Sequence, residues 1–302
     1  MSRARLNRRR ASSVAAAFAA ALALAACTPA ATPLPEGLSA QVKQGRLDVE
    51  ARRLVVRIEN AGGVPVTVER LEIASPSFTP AMVRDEPFEV GADDALEIRV
   101  PLSETDCAPS GGDADSSDAA APVATVVLDV TTESGAASGE LTADDPFDTL
   151  ARVVAADCLA ESVERVAAIV MPEHLRVIGS GTEQRAFIDV EVVPAASARP
   201  SDDVEGSFVI DRVHGTTLLS AESGAEWPLG IEVAAGGDPV TITLPVRPAR
   251  CDAHGVADDK RGTILPFEIR TSDGRAGRLD RSSGDALKAE LYAYYGERCG
   301  LQ

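Results

Sequence analysis

Aromatic residues are scarce in this chain of 302 residues, which has one tryptophan, three tyrosines and seven phenylalanines. Basic residues are also few, since 29 lysines and arginines stand against 47 aspartates and glutamates and give a net charge of −18. A strongly acidic surface repels phosphate backbones, and no basic patch with interleaved aromatics offsets it. The composition therefore excludes nucleic acid as a partner.

Signatures of catalysis and metal binding are missing as well. The nearest approach to the Gly-x-Ser-x-Gly elbow of hydrolases is the string at residues 178–181, which lacks the first glycine. The three histidines, His174, His214 and His254, are too far apart to form a local metal motif. We therefore expect no catalytic residue and no metal site, and we expect that the chain is not an enzyme.

The longest apolar run lies at the start of the chain. Three arginines, at 8–10, precede an apolar stretch from Val14 to Ala26, which is followed by Cys27. A basic segment, a short apolar core and small residues before the cut are what an export signal needs. The string L-A-A-C at residues 24–27 resembles the lipobox of bacterial lipoproteins, and an ordinary secretory signal that ends beside a cysteine is the alternative.

The lipobox resemblance implies that residues 1–26 are removed and that Cys27 carries a diacylglyceryl group and a further acyl chain such as palmitate. No cofactor other than this covalent lipid is expected. Two or more chains anchor a protein stably to a membrane. Removal of the leader takes away five arginines and no acid, so the charge of −18 becomes −23. The abundance of Ala, Arg, Asp, Gly and Val with scarce lysine favours a GC-rich genome and hence an actinobacterial lipoprotein.

The residues after Cys27 are rich in proline. The segment 28–37 reads T-P-A-A-T-P-L-P-E-G. Such a segment tends to be extended, so with Cys27 it predicts a tether that holds the folded body roughly 30 Å from the membrane.

The rest of the chain contains a degenerate two-fold repeat. The matching segments occur in the same order in both halves, as 54–59 with 186–191, 68–71 with 210–213, 88–90 with 231–233, 96–102 with 240–246, and 126–130 with 264–269. Cys107 and Cys251 follow the fourth match, and Gly135 and Gly274 follow the fifth. The repeat predicts two copies of one module, domain 1 over residues 38–162 and domain 2 over residues 163–302.

Most of the repeated segments alternate apolar and polar residues, which is the period of a strand with one buried face. Short antiparallel strands at regular spacing predict a β-sandwich. The string V-R-I-E-N-A-G-G-V-P-V-T-V at residues 56–68 is similar to the strand–turn–strand passage of many bacterial immunoglobulin-like domains. This resemblance implies two tandem immunoglobulin-like β-sandwich domains.

Each copy ends in a segment with helical spacing. Asp145 and Asp285 are start signals, and apolar residues then recur every three or four positions. These residues are Phe147, Leu150 and Val154 in the first copy and Leu287, Leu291 and Tyr295 in the second. We expect a short α-helix at the end of each domain.

The four cysteines besides Cys27 allow three pairings. Cys107 and Cys251 are equivalent in the repeat, and so are Cys158 and Cys299, each at the end of its predicted helix. The repeat therefore favours the disulfides Cys107–Cys158 and Cys251–Cys299, and unpaired buried cysteines are the alternative. Closing a loop of this size stabilises a domain by about 4 kcal/mol in the entropy model.

The loop after Cys251 has the highest density of functional groups. It contains Asp252, His254 and Asp258, and loops that a rigid sandwich holds in place commonly carry function. We take these three residues as candidate binding residues, and solvated charges without a ligand are the alternative. Trp227 is a further candidate as an exposed contact, and packing over the sandwich edge is its alternative.

These observations favour a non-enzymatic lipoprotein on the outer face of the cytoplasmic membrane, with a binding or scaffolding role in the cell envelope. Its partners would be the membrane, through the lipid anchor, and an envelope protein or cell-wall component. A ligand- or metal-capturing accessory protein for a membrane transporter is the alternative. A hydrolase with an atypical site ranks last.

Overall fold

The computed structural model describes residues 32–107, 123–195, 206–252 and 261–301. In these ranges the chain is mainly β and forms two sandwiches with helices at their ends. The predicted signal peptide, Cys27, His254 and Asp258 lie outside the described residues. No helix in the described ranges is long and apolar enough to span a bilayer.

Domain 1 is a sandwich of two antiparallel sheets. Its elements are β1 (Leu38–Lys43), α1 (Arg46–Glu50), β2 (Arg53–Asn60), β3 (Val66–Ser75), β4 (Phe78–Arg84), β5 (Phe88–Val90), β6 (Asp94–Pro101), β7 (Glu104–Thr105), β8 (Thr125–Thr132) and β9 (Gly135–Thr142). One sheet has the order β1-β2-β6, and the other has the order β7-β4-β3-β8-β9, with β5 also paired to β3. Alternate residues of both sheets, such as Leu54 and Val126, point inward and form one apolar core.

Domain 2 repeats this architecture. Its elements are β10 (Ala167–Val170), β11 (Arg176–Ile178), a 3₁₀ turn (Gly181–Glu183), β12 (Arg185–Pro194), β13 (Ser207–His214), β14 (Leu219–Ala221), β15 (Glu226–Ala234), β16 (Val240–Pro248), β17 (Ile264–Thr271) and β18 (Ala276–Ser282). One sheet has the order β10-β12-β16-β14, with β11 also paired to β12, and the other has the order β15-β13-β17-β18. The structure thus confirms two tandem immunoglobulin-like β-sandwiches.

The predicted repeat is present strand by strand. Its five matches fall on β2 and β12, β3 and β13, β5 and β15, β6 and β16, and β8 and β17. The equivalent strands β3 and β13 even have a pairing irregularity at the same place, between Val68 and Arg70 in β3 and between Ile210 and Arg212 in β13. A bulge of this kind bends the strand and increases its twist, so β3 and β13 bend at equivalent residues.

Two longer helices complete the domains, α2 (Thr149–Val166) and α3 (Asp285–Cys299). The carboxylate of Asp145 accepts the backbone N–H groups of Thr149 and Leu150 at 2.8 and 2.9 Å, which supplies partners for N–H groups that a helix start leaves free. The predicted stripe of α3 is confirmed, since Leu287, Leu291 and Tyr295 are buried in the core of domain 2.

The two predicted disulfides are present, Cys107–Cys158 and Cys251–Cys299. Two details of the first helix are wrong in the sequence-based prediction. Phe147 precedes the helix and is 59% exposed, so the buried stripe of α2 begins at Leu150. Cys158 does not end the helix, which continues for two further turns to Val166.

Helix α2 belongs to both cores. Its first turns place Leu150 and Val153 in the core of domain 1, whereas Leu159, Val163 and Val166 lie in the core of domain 2. β10 starts at the next residue, so helix and strand join the domains without a loop between them. The predicted domain boundary at 162/163 therefore falls inside this helix.

The tether prediction is wrong for its second half, because residues 32–37 lie against domain 1. The carbonyl of Thr32 accepts the backbone N–H of Ser138 at 3.0 Å, and the carbonyl of Gly37 accepts that of Ala61 at 2.9 Å. Leu34 packs against the core of domain 1, over Gly139, where a Cβ would come within 3.0 Å of the leucine Cγ. Two backbone hydrogen bonds and the packing of Leu34 over a glycine therefore hold this proline-rich segment against domain 1.

Candidate functional site

The predicted binding loop leaves the sandwich at a fixed point. The Tyr295 hydroxyl, on α3, donates to the carbonyl of Arg250 and accepts the backbone N–H of Asp252 at 3.3 Å. The Asp252 carboxylate pairs with Arg250 at 3.1 Å. The Cys251–Cys299 disulfide holds the same point, so the root of the loop is tied to α3 three times. His254 and Asp258 are not among the described residues, and their binding role stays a prediction.

Trp227 packs inside domain 2. Its side chain is in the core, the residue is 5% exposed, and its indole N–H donates to the carbonyl of Pro245 at 2.8 Å. The packing alternative is therefore correct, and Trp227 offers no exposed contact.

A cleft of about 520 Å³ opens beside Trp227 in domain 2. Its walls are the two connections that enter and leave the short strand β14, together with the end of β16. We call it the domain 2 cleft, and it is lined by His214, Gly215, Thr216, Ser220, Gly224, Ala225, Glu226, Arg247 and Ala249.

Gly215 lets the two walls of the domain 2 cleft approach each other. A Cβ on this residue would lie 2.2 Å from the carbonyl oxygen of Ala225, a distance no side chain can adopt. The hydroxyl of Thr216 donates to the carbonyl of Gly262 at 2.6 Å, directly after the predicted binding loop. The cleft therefore lies at the end of domain 2 where the chain enters β17.

A histidine between two carboxylates forms one side of the domain 2 cleft. His214 Nε2 lies 2.9 Å from Glu268 Oε2, and its Nδ1 lies 3.4 Å from Glu226 Oε2. Glu226 also pairs with Arg212 at 2.9 Å. These residues sit on three neighbouring strands, β13, β15 and β17. The sequence gives no local signal for them, because His214 and Glu268 are 54 positions apart.

Two hydrogen-bond donors form the other side. Ser220 and Arg247 are directly opposed residues of β14 and β16. Their neighbours Leu219, Ala221 and Val246 point into the core, so strand alternation places Ser220 and Arg247 on the outer face. The cleft thus combines a basic and hydroxylic side with an acidic and imidazole side. Among the described residues no group of three or more side chains is arranged to hold a metal.

A second polar cluster lies elsewhere on domain 2, around Phe187. The guanidinium groups of Arg176 and Arg185 lie 4.4 and 5.2 Å from the centre of its ring. Arg176 also donates to Asp189, and this hydrogen bond lowers the pKa of that carboxyl below its usual value. Arg185 pairs with Glu222 at 2.5 Å, so both arginines that lie over Phe187 are held in salt bridges.

The connection before β11 is fastened to α3 by Glu290. One carboxylate oxygen lies 2.8 Å from Nδ1 of His174, and the other accepts the backbone N–H of Leu175 at 2.6 Å. The hydrogen bond with Glu290 raises the pKa of His174. The backbone hydrogen bond, followed by that of His174, lowers the pKa of Glu290.

Comparison with known proteins gives only distant likenesses. No family model matches the chain. No curated protein matches it either. Among solved structures, the chain is similar to the Pseudomonas aeruginosa CupB2 chaperone (11% identity, 78% of this chain, 95% of that one, TM-score 0.21). It is also similar to a chain in the complex of the Salmonella enterica SafA pilin with the SafB chaperone (10% identity, 83% of this chain, 99% of that one, TM-score 0.21).

A red sea bream transglutaminase also matches, at 11% identity over 83% of this chain, with a TM-score of 0.23. This chain spans only 32% of the transglutaminase. With TM-scores this low, the assignment of the fold rests on the strand pairing described above.

Proposed function

We propose that this protein is a non-enzymatic lipoprotein, anchored by Cys27 to the outer face of the cytoplasmic membrane, that binds or scaffolds a component of the cell envelope. One observation carries the proposal. All four cysteines of the two domains are consumed in disulfides, each within one copy of the repeat, which leaves Cys27 as the single cysteine without a partner in the folded body.

The disulfides support export. Structural disulfides form and persist in oxidising compartments outside the cytoplasm. A free thiol would be exposed to oxidation there, whereas a thioether to lipid is inert. The lipobox-like string places Cys27 where such a modification is made.

The docking of residues 32–37 adds a geometric constraint to this proposal. Five peptide units separate Cys27 from Thr32, and a fully extended chain advances by at most about 3.6 Å per residue, so the span cannot exceed roughly 18 Å. The expected position of domain 1 is therefore close to the bilayer, with the β9 edge near the anchor, in place of a body held 30 Å away.

Substitution of the anchor residue tests the proposal. In cells that express the full chain, Cys27→Ala should move the protein from the membrane to the soluble fraction and abolish labelling by an alkyne fatty acid. Both disulfides should persist in non-reducing peptide maps. Thr28→Ala is the matched control and should stay labelled and membrane-bound. Retention of the Cys27→Ala protein in washed membranes would contradict the anchor.

A ligand-capturing accessory protein for a membrane transporter is the second candidate, and the domain 2 cleft is the observation that favours it. Its volume falls in the range of small-molecule sites, about 300–1,000 Å³. Domain 1 would then serve as the spacer between the anchor and the binding domain. Thermal-shift titration with copper, zinc and calcium checks the metal version of this role, since a ligand that binds only the folded state raises the melting temperature.

A further inference from the structure

We propose that the domain 2 cleft binds a small monocarboxylate that also carries a hydroxyl or amino group, with the carboxylate on Arg247 and Ser220. This inference deepens the binding role proposed above by naming the class of ligand. It rests on three features of the cleft, which are an unpartnered buried hydroxyl, a guanidinium group with free ends, and a wall that is already acidic.

The hydroxyl of Ser220 lacks a partner. The residue lines the cleft, is 7% exposed, and its Oγ is buried without a hydrogen bond to any described residue. Leaving a buried polar group unpaired destabilises a folded protein, so such groups are few in native structures and call for a partner. A ligand oxygen beside Ser220 would accept this O–H.

The guanidinium group of Arg247 is held in place by one of its nitrogens. Its Nε donates to the carbonyl of Ala221 at 2.9 Å, which fixes the guanidinium group over β14. Within the described ranges its two terminal nitrogens have no hydrogen-bonding or ionic partner. Arginine binds a carboxylate through two parallel N–H donors, and a guanidinium that is already oriented loses less entropy when it does so. Ser220 lies directly across the strand pair, so the two residues present their donors together.

The opposite side of the cleft sets the charge of the ligand. Glu226 and Glu268 flank His214, and their negative charge disfavours a dianion such as phosphate. A monocarboxylate carries the smallest charge that satisfies Arg247. The carboxylate of Glu226 can accept a hydrogen bond from a hydroxyl or amino group on the same ligand, which favours hydroxy acids and amino acids over acetate.

The only tryptophan of the chain is a built-in reporter of binding. Trp227 follows Glu226 of the cleft, and its indole N–H donates to Pro245, two residues before Arg247. We suggest titrating the full-length protein, purified from membranes in detergent, with sodium lactate, alanine, sodium acetate and sodium phosphate at constant ionic strength. Tryptophan fluorescence and calorimetry should show saturable binding of lactate or alanine, weaker binding of acetate and none of phosphate.

Variants assign the signal to the cleft. Arg247→Gln should weaken binding at least about tenfold, Arg247→Lys should weaken it less, and Ser220→Ala should weaken it several-fold. Arg152→Gln removes the same charge from an exposed site on the first turns of α2 and is the matched control, with unchanged affinity. Circular dichroism should be the same for all four variants.

Three results would overturn the inference. They are the absence of saturable binding of lactate, alanine and acetate, phosphate binding as tight as that of lactate, or an affinity that Arg247→Gln leaves unchanged. The titration of the Cys27→Ala protein should match that of the unaltered chain. A cleft that binds none of these ligands would therefore not count against membrane anchoring through Cys27. Loss of the anchoring proposal would likewise not count against ligand binding in the cleft.

Discussion

The two domains are copies of one module, but they use their final helices differently. Helix α3 places its buried residues in the core of its own domain alone, whereas α2 divides its buried residues between both cores. The first copy therefore depends on the second for part of its closing helix. A duplicated module has become one unit with a shared element, and the disulfide at Cys158 lies in the middle of that element.

The copies also cover the outer face of their first sheet in different ways. Val55 of β2 and Phe187 of β12 are equivalent in the repeat, and both are buried without belonging to either core. The short helix α1 follows β1 in domain 1, where Asp48 pairs with Arg99 at 3.0 Å. In domain 2 a longer connection with β11 takes this place. The same outward apolar position is thus protected by two unrelated solutions.

The clefts of the two domains differ in charge. Domain 1 has a cleft of about 540 Å³ at the end of β2 and β6, and its lining holds four carboxylates and one arginine, Arg57, which pairs with Glu59 at 3.0 Å. The domain 2 cleft instead holds Arg247 and Ser220, whose terminal nitrogens and hydroxyl have no partner among the described residues. The clefts of the two copies therefore differ in composition, one mostly acidic and one of mixed charge.

The largest expected effect comes from removing each disulfide. The closed loops differ by three residues, 51 against 48, so loss of either pair should destabilise its domain by about 4 kcal/mol. Cys107→Ala/Cys158→Ala should lose more than Cys251→Ala/Cys299→Ala, because Cys158 is fully buried in the shared helix and Cys299 is not. Urea unfolding followed by circular dichroism measures both. Equal losses would show that the shared helix adds nothing.

Core substitutions in α2 test whether the helix couples the domains. Leu150→Ala empties a site in the core of domain 1 and should destabilise it by about 3 kcal/mol. Val163→Ala does the same for domain 2, by about 2 kcal/mol. Hydrogen exchange should show that each variant lowers protection on both sides of the helix. Protection lost from one domain alone would mean that the sandwiches open independently.

All tryptophan and tyrosine side chains lie in domain 2, which separates the two readouts. Trp227 and Tyr292, Tyr294 and Tyr295 report on that domain, and domain 1 has only phenylalanines. In the coupled case Leu150→Ala should shift the fluorescence transition of domain 2 although the substitution lies in domain 1.

Gly215→Ala tests whether the walls of the domain 2 cleft must touch. The added Cβ would meet the carbonyl oxygen of Ala225 at 2.2 Å, so the backbone must shift, at a cost of about 2 kcal/mol. Gly224→Ala, in the opposite wall, meets nothing within 4 Å and is the matched control, with a change within about 0.5 kcal/mol. Thermal unfolding of the two variants measures this difference. Equal stability of the two variants would show that Gly215 and the carbonyl of Ala225 are not in close contact.

The repeat is why so much of the fold could be predicted from the sequence. Alternation in segments such as residues 54–59 marks strands, and the order of the matches pairs the cysteines correctly. It could not be predicted that α2 contributes to the cores of both domains. The helical spacing of Leu159 and Val163 indicates that these residues are buried, but it does not indicate in which core. The docking of Leu34 over Gly139 depends on a contact between segments that are distant in the sequence.

The site could be predicted only in part, because it too depends on contacts between segments that are distant in the sequence. The loop after Cys251 is visible in the sequence as a local cluster of polar residues, and Gly262, directly after it, accepts a hydrogen bond from Thr216 of the cleft. Ser220, Glu226 and Arg247 come together only when the ends of β14, β15 and β16 meet, and each is unremarkable in its own segment. The pairing of strands that are distant in the sequence therefore brings the lining residues of the cleft together, and the spacing of these residues along the chain does not reveal it.

The smallest effect concerns His174 and Glu290, the contact that ties the connection before β11 to α3 in domain 2. Because the folded pKa of His174 is raised above 6.5, the contribution of His174 to stability is complete below that value and disappears as the pH rises through the folded pKa. The pKa of Glu290 is lowered from 4.5, so the contribution of Glu290 is present above that value and is lost as the pH falls through its folded pKa.

Glu290→Gln should therefore return the pKa of His174 towards 6.5, since the charged hydrogen-bond partner that favours the imidazolium is removed. An NMR titration of the His174 ring measures the shift directly. Glu173→Gln is the matched control, because Glu173 acts on His174 through its charge alone and more weakly, and it should move the pKa less. Equal shifts in the two variants would mean that the pKa of His174 reflects the surrounding negative charge and not the hydrogen bond with Glu290. The contact with α3 would then not fasten the connection before β11 to domain 2.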